Sequence, residues 1–158
     1  MGKEIERKFI LNREEWEQLV KPVGKHLRQG YISKDPKKTI RVRIAETQAW
    51  LTIKGITVGA SRLEYEYEIP LEEAKELLDN FCESELEKIR YEIEYHGKTW
   101  EVDVFSGDNE GLIVAEIELL SEDEDFERPI WVDVEVTADQ RYYNSNLTTY
   151  PFKAWGIR

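Results

Sequence analysis

A chain of 158 residues that is 41% hydrophobic, with five Trp and eight Tyr, has the size and apolar content of one folded domain rather than a disordered segment. Its formal net charge of −11 argues against nucleic acid and anionic membrane as partners. The single cysteine, Cys82, excludes an intramolecular disulfide, and no Cys/His spacing suggests zinc.

In chain order, residues 3–11 alternate apolar and polar positions and read as a strand. Asn12 is placed to cap a helix, with Glu14 and Glu15 in its first turn, Trp16, Leu19 and Val20 as its apolar stripe, and Pro22 and Gly24 beyond its end. Strands are expected over 26–33, 38–46, 49–54 and 60–69, the last closed by Pro70. Residues 71–81 have helical spacing, with Leu71, Ala74, Leu77, Leu78 and Phe81 on one side. Alternation returns over 85–96, turns at Gly97-Lys98, and continues over 99–105. SGDNEG at 106–111 is a turn before 112–120. The acidic segment 121–128 reads as a short helix or loop with a solvated face. A last strand covers 130–136, and the tail, with Tyr142, Tyr143, Leu147 and Tyr150, packs on the body. No linker or repeat divides the chain, so a single domain over 1–158 is expected. No apolar run has the length of a signal peptide or membrane span, and Glu6 stands where a myristoylation motif needs Ser or Thr, so the expected location is cytoplasmic.

The strands share an unusual polar face. Arg41 and Arg43 lie opposite Ile40, Val42 and Ile44 on their strand; Arg62, Glu64, Glu66 and Glu68 oppose Leu63, Tyr65 and Tyr67. Lys88, Arg90 and Glu92 oppose Ile89, Tyr91 and Ile93, while Glu101, Asp103, Glu116 and Glu118 oppose valine and isoleucine. An antiparallel sheet commonly has one wet face. Strands are depleted in Glu, however, and like charges side by side repel unless opposite charge lies between them. A closed barrel with the charged face inside resolves both points, provided that counter-charges fill it, because unpaired buried ions cost several kcal/mol each. The cations Lys8, Arg41, Arg43, Lys54, Arg62, Lys88 and Arg90 suit a polyanion. The acids Glu4, Glu6, Glu64, Glu66, Glu101, Asp103, Glu116, Glu118 and Glu135 suit hard divalent metals. Same-face neighbours along a strand are about 6.6–6.8 Å apart, close enough to flank one ion or serve two.

On these residues the chain resembles the CYTH superfamily, the triphosphate tunnel metalloenzymes. The opening Glu4-x-Glu6-x-Lys8 is its hallmark. QGY (29–31), RVR (41–43), TIKG (52–55), RLEYE (62–66), KIRY (88–91), EVDVF (101–105), AEIEL (115–119) and EVT (135–137) follow in order over nearly the whole chain. WVDVEVT (131–137) departs from the pattern, since Asp133 and Val134 replace a glycine-containing turn.

The resemblance implies a mainly β fold (α+β): an eight-stranded antiparallel barrel forming a tunnel with a charged lumen and a few covering helices. It implies triphosphate binding by Lys8, Arg41, Arg43, Lys54, Lys88 and Arg90, joined by Arg62. It implies metal binding by Glu4, Glu6, Asp103, Glu116 and Glu118. Glu64, Glu66, Glu101 and Glu135 would orient the cations, and Tyr31 matches a tunnel tyrosine, although a core tyrosine fits equally. The short bacterial members it resembles are inorganic triphosphatases, so hydrolysis of tripolyphosphate with Mg²⁺ or Mn²⁺, two ions in all, is the expected activity. Glu116 or Glu118 would accept the proton of the attacking water, with Lys8 and Tyr31 also catalytic. Adenylate cyclisation, nucleoside or thiamine triphosphate hydrolysis, and a silent polyphosphate-binding module are the competing readings. His26 and His96 read as strand-end or surface residues and Cys82 as a small core residue. Trp50, Trp100, Trp131 and Trp155 would cover the barrel's outer face or form a homodimer interface.

Overall fold

The computed structural model describes residues 2–156. Nine strands follow in order: β1 (Lys3–Leu11), β2 (Lys25–Asp35), β3 (Lys38–Ala45), β4 (Gln48–Lys54), β5 (Ser61–Ile69), β6 (Glu85–Tyr95), β7 (Lys98–Phe105), β8 (Ile113–Glu118) and β9 (Val132–Glu135). Three helices accompany them: α1 (Arg13–Gln18), α2 (Leu71–Phe81) and α3 (Asn144–Leu147). All pairings are antiparallel, and the order β5-β4-β3-β2-β6-β7-β8-β1 closes on itself when β1 pairs again with β5. Eight strands thus form the expected ring. The ninth continues the edge of β1 that β5 leaves: Lys3, Glu4 and Ile5 face β5, whereas Phe9 and Leu11 face β9.

Local chemistry sets the element ends. Asn12 Oδ1 accepts the Glu15 amide at 3.1 Å and starts α1 as expected. The helix stops at Gln18, however, and with Leu19 already extended, Val20 lies 94% exposed instead of joining the Trp16 stripe. In α2, Ala74 and Leu78 are buried against the sheet while Phe81, on the last turn, is exposed. The β6–β7 turn centres on His96 and Gly97, with φ of 51° and 77°, one residue earlier than expected. Positive φ at both central residues is what a two-residue hairpin needs to match strand twist.

The apolar face points outward and three clusters cover it or close it. Ile5, Phe9, Trp100 and Ile117 pack under Trp16 of α1 and under Phe126 and Trp131 of the segment between β8 and β9. Val42 and Ala49 pack under α2. The third cluster lies inside the ring. Leu86, Phe105 and Val114 alternate with the charged positions of β6, β7 and β8, and they pack on Tyr142, Leu147, Phe152 and Trp155 of the tail. The tail therefore stoppers that end of the tunnel and gives the lumen the form of a cup. Trp50 lies in phase with Thr52 and Lys54 on the inner side of β4, not on the outer face. The acidic segment contains no helix, and its face is only partly solvated: Glu122 takes the Ala60 amide and Ser61 hydroxyl, and Glu124 pairs with Lys98.

Two polar expectations resolve on the outside. Arg7 packs against Phe9 and Phe126 and donates to Glu135 at 2.6 and 2.8 Å, with Arg128 at 3.8 Å. Glu135, expected among the acids that orient lumen cations, instead ties β9 to β1 on the outer face. This pair is 26% and 30% exposed, so solvent screens it. Arg7→Met is expected to lower the unfolding free energy by about 1 kcal/mol in urea titrations, and to leave ligand binding in the lumen unchanged.

Candidate active site

Alternation along each strand stacks the lumen in layers above the apolar stopper. On β1, Ile10 touches the stopper, and Lys8, Glu6 and Glu4 climb away from it. On β8, Val114, Glu116 and Glu118 do the same, and the register sets Lys8 opposite Glu116 and Glu6 opposite Glu118. β7 brings Asp103 and then Glu101, which faces Glu116 directly. The cavity holds about 210 Å³ and is lined by Lys8, Arg41, Arg43, Lys54, Arg62, Lys88 and Arg90, and by Glu4, Glu6, Glu64, Glu66, Glu101, Glu116 and Glu118.

Charge is partly segregated within it, with Lys8 on the acid side and Glu64 and Glu66 beside Arg62 as the exceptions. The acids Glu4, Glu6, Glu101, Glu116 and Glu118 come from the adjoining strands β1, β7 and β8, whereas the arginines Arg41, Arg43, Arg62 and Arg90 come from β3, β5 and β6. Several charges are paired between strands. Lys8 Nζ lies 3.2 Å from Glu116, Lys54 Nζ lies 3.4 Å from Glu4 and 3.3 Å from Glu64, and Arg41 lies 3.2 Å from Glu66. Arg90 forks onto Asp103 at 2.8 and 2.9 Å and reaches Glu101 at 3.3 Å and Glu116 at 3.6 Å. Among the described residues, Glu6, Glu118, Arg43 and Arg62 have no partner of opposite charge within 4.0 Å.

These four leftovers mark the two halves of a site. Glu6, Glu101 and Glu116 place a carboxylate oxygen each within 4.8 Å of one another. Burial, followed by the neighbouring Glu116 and Glu4, holds the Glu6 carboxyl well above the usual range. Burial and then Glu4, Glu64 and Glu101 push Glu118 in the same direction. Such crowding costs folding energy in the bare protein, and an all-oxygen donor set of this kind fits a hard divalent cation. Opposite, burial together with Arg41 and Arg90 brings Arg43 down to about 9, which still leaves a charged guanidinium at neutral pH. Arg62 spends its donors on the Gly55 carbonyl and the Thr39 hydroxyl at 3.0 and 3.3 Å.

An expected metal ligand, Asp103, and an expected cation-orienting residue, Glu101, trade places. Asp103 is buried one layer deeper, and both of its oxygens are taken by Lys88 at 2.7 Å and by Arg90. Burial would raise its carboxyl, but Arg90 and Lys88 outweigh that and hold it far below the ordinary value. Glu101, expected only to orient cations, joins the carboxylate trio instead. Tyr31 is buried on the lumen side with its hydroxyl 3.1 Å from Gln29 Nε2. His26 pairs with Glu87 on the surface, and Cys82 is a half-buried residue whose thiol burial pushes up to about 11. Sequence reasoning missed Gln29, which is fully buried although it opens the quoted QGY motif. It also missed Thr57, Thr137 and Tyr143 on connecting segments, and Asn144 and Ser145 on the single turn of α3, which line the cavity from stretches too short to carry a periodic signal.

Comparison with known proteins agrees with this arrangement. The CYTH domain profile matches residues 2–149. A protein of Acetivibrio thermocellus named inorganic triphosphatase is 52% identical over 154 residues, covering 97% of each chain. One of Nitrosomonas europaea with the same name is 37% identical over 153 residues, covering 91% of this chain and 95% of its own. A crystal structure described as that of an inorganic triphosphatase superposes with a TM-score of 0.63 at 32% identity, covering 91% of this chain and 96% of that one. With a closed eight-stranded ring around a charged lumen and a match to the family over residues 2–149, the chain belongs to the CYTH domain family.

Proposed function

We propose that the protein hydrolyses inorganic triphosphate with the aid of divalent metal ions, Mg²⁺ or Mn²⁺. The observation that carries the reading is the meeting of two uncompensated acids, Glu6 and Glu118, with two uncompensated arginines, Arg43 and Arg62, inside one cavity. The lining offers seven cations and seven acids, so a polyanion gains little from the lumen as a whole. Binding becomes favourable when cations accompany the phosphates and neutralise the acids, which is what a metal–polyphosphate substrate brings. The names of the 52% and 37% identical relatives support the same substrate.

Glu6, Glu101 and Glu116 would hold one ion, and Glu4 and Glu118, nearer the mouth, the second. Bound there, the ions would neutralise phosphate charge and lower the pKa of a water. The chain's own groups do the rest. Arg41, Arg43 and Arg62 grip the non-bridging oxygens and hold the substrate in the cavity. Lys8 and Lys88 stand at the floor, and Tyr31 borders them. Glu118 or Glu116 accepts the proton of the attacking water. The stopper makes the cup one-ended, so a substrate enters and its products leave by the mouth near Glu4 and Glu118.

A substrate panel tests the reading: tripolyphosphate, ATP, thiamine triphosphate and pyrophosphate with Mg²⁺ and with Mn²⁺, following phosphate and cyclic AMP. Expected is phosphate release from tripolyphosphate at a kcat/KM more than about tenfold above that for ATP, about 1.4 kcal/mol in transition-state binding, and lost in EDTA. Cyclic AMP formation with little phosphate release would overturn it.

A further inference from the structure

We propose that Gln29 is a positioning residue that aims Arg43 at the phosphate chain while keeping its charge uncompensated. The inference rests on the triphosphate reading above. Gln29 is fully buried and sits directly across from Arg43 in the β2–β3 ladder. Its Oε1 accepts Arg43 Nε at 2.9 Å. A guanidinium only donates, so this contact fixes which end of the amide faces it. The other end, Nε2, then donates to the Tyr31 hydroxyl at 3.1 Å and to Asn144 Oδ1 at 3.4 Å. Asn144 Oδ1 also accepts Lys88 Nζ at 2.7 Å. One neutral side chain therefore links an arginine and a tyrosine of the wall to the tail segment that closes the cup.

The neutrality is the point. Lys8, Lys54, Arg41, Lys88 and Arg90 are each held by a carboxylate, so part of their charge is already spent. Arg43 is oriented just as firmly, by an amide on Nε, and its outer nitrogens have no acidic partner among the described residues. A carboxylate at position 29 would keep the Arg43 contact, since Glu and Gln are isosteric; the Tyr31 hydroxyl can turn to donate to it, and only the 3.4 Å donation to Asn144 Oδ1 is given up. It would also neutralise Arg43 and raise the electrostatic cost of bringing phosphate beside it.

Affinity and stability then respond in opposite orders, which a merely structural Gln29 would not produce. Gln29→Glu should raise KM for tripolyphosphate at least about tenfold, 1.4 kcal/mol of binding, with kcat within threefold and a melting temperature no lower than wild type. Gln29→Met keeps the volume and leaves Arg43 charged but untethered. It should raise KM less than Gln29→Glu does and melt below wild type. The inference is overturned if Gln29→Glu keeps KM within twofold of wild type, or if KM follows melting temperature across the two variants. Were Gln29→Glu not to fold, Gln29→Met decides: KM raised fivefold with kcat kept supports the inference, and equal loss in both overturns it. A wild-type protein inert toward tripolyphosphate overturns the triphosphate reading itself, and this inference with it.

Discussion

Glu6→Gln is expected to cut phosphate release from tripolyphosphate by at least about 10³-fold, about 4 kcal/mol of transition-state stabilisation, while the metal-free protein becomes more stable. Both effects have one origin. Glu6 lies between Glu116 and Glu4 with no basic side chain within 4.0 Å, so its charge is repelled by its own wall until a cation arrives. An amide of the same shape removes the repulsion and, with it, one carboxylate of the trio proposed to hold the metal. The measurements are steady-state phosphate release and melting temperature in EDTA and in Mn²⁺. Wild type should gain more stability from Mn²⁺ than the variant, because a ligand that binds only the folded state stabilises it by mass action. A variant that melts lower than wild type in EDTA, or that retains full activity, would contradict the placement of the metal.

The contrast between Glu6 and Asp103 also shows how far the sequence alone could reach. Period-two alternation placed both carboxylates on the polar face, and the adjacent like charges Arg41/Arg43 and Glu116/Glu118 turned that face inward. Depth along the barrel axis is a different matter. It depends on the register between neighbouring strands, which no single strand encodes. Glu101 and Asp103 are equivalent by alternation, yet the β7–β8 register puts Glu101 beside Glu116, and the β6–β7 register puts Asp103 beside Arg90. Glu135 failed for a related reason. It belongs to the ninth strand, which runs beside the outer part of β1, and there its nearest cation is Arg7. The stopper was legible only as apolar residues in the tail, because short turns such as Gln140–Tyr142 and Asn144–Leu147 carry too few residues for a period. Gln29 carries no such signal in the sequence, because an amide is neutral even where it holds the arginine.

Asp103→Asn is expected to destabilise the fold by about 3–5 kcal/mol, since it leaves the ammonium of Lys88 and the guanidinium of Arg90 buried without their shared counter-charge. The pH dependence carries the same signature. In the folded protein Asp103 is held well below its ordinary value, chiefly because Arg90 and Lys88 overcome the effect of burial. A depressed folded-state carboxyl contributes stability that is fully present above the unfolded value, roughly 3.9, and is lost as pH falls from there toward the folded value. Wild type should therefore lose stability across that acid window more steeply than Asp103→Asn, which has no proton to take up at this position. Calorimetric titration with Mn²⁺ separates the two roles that the residue type permits. If Asp103 anchors the cations at the floor of the cup, Mn²⁺ affinity in a folded Asp103→Asn stays within about threefold of wild type, under 1 kcal/mol of binding. A loss of more than about tenfold, 1.4 kcal/mol, together with a flat stability profile in wild type, would return Asp103 to the metal and leave Lys88 and Arg90 to be balanced by substrate.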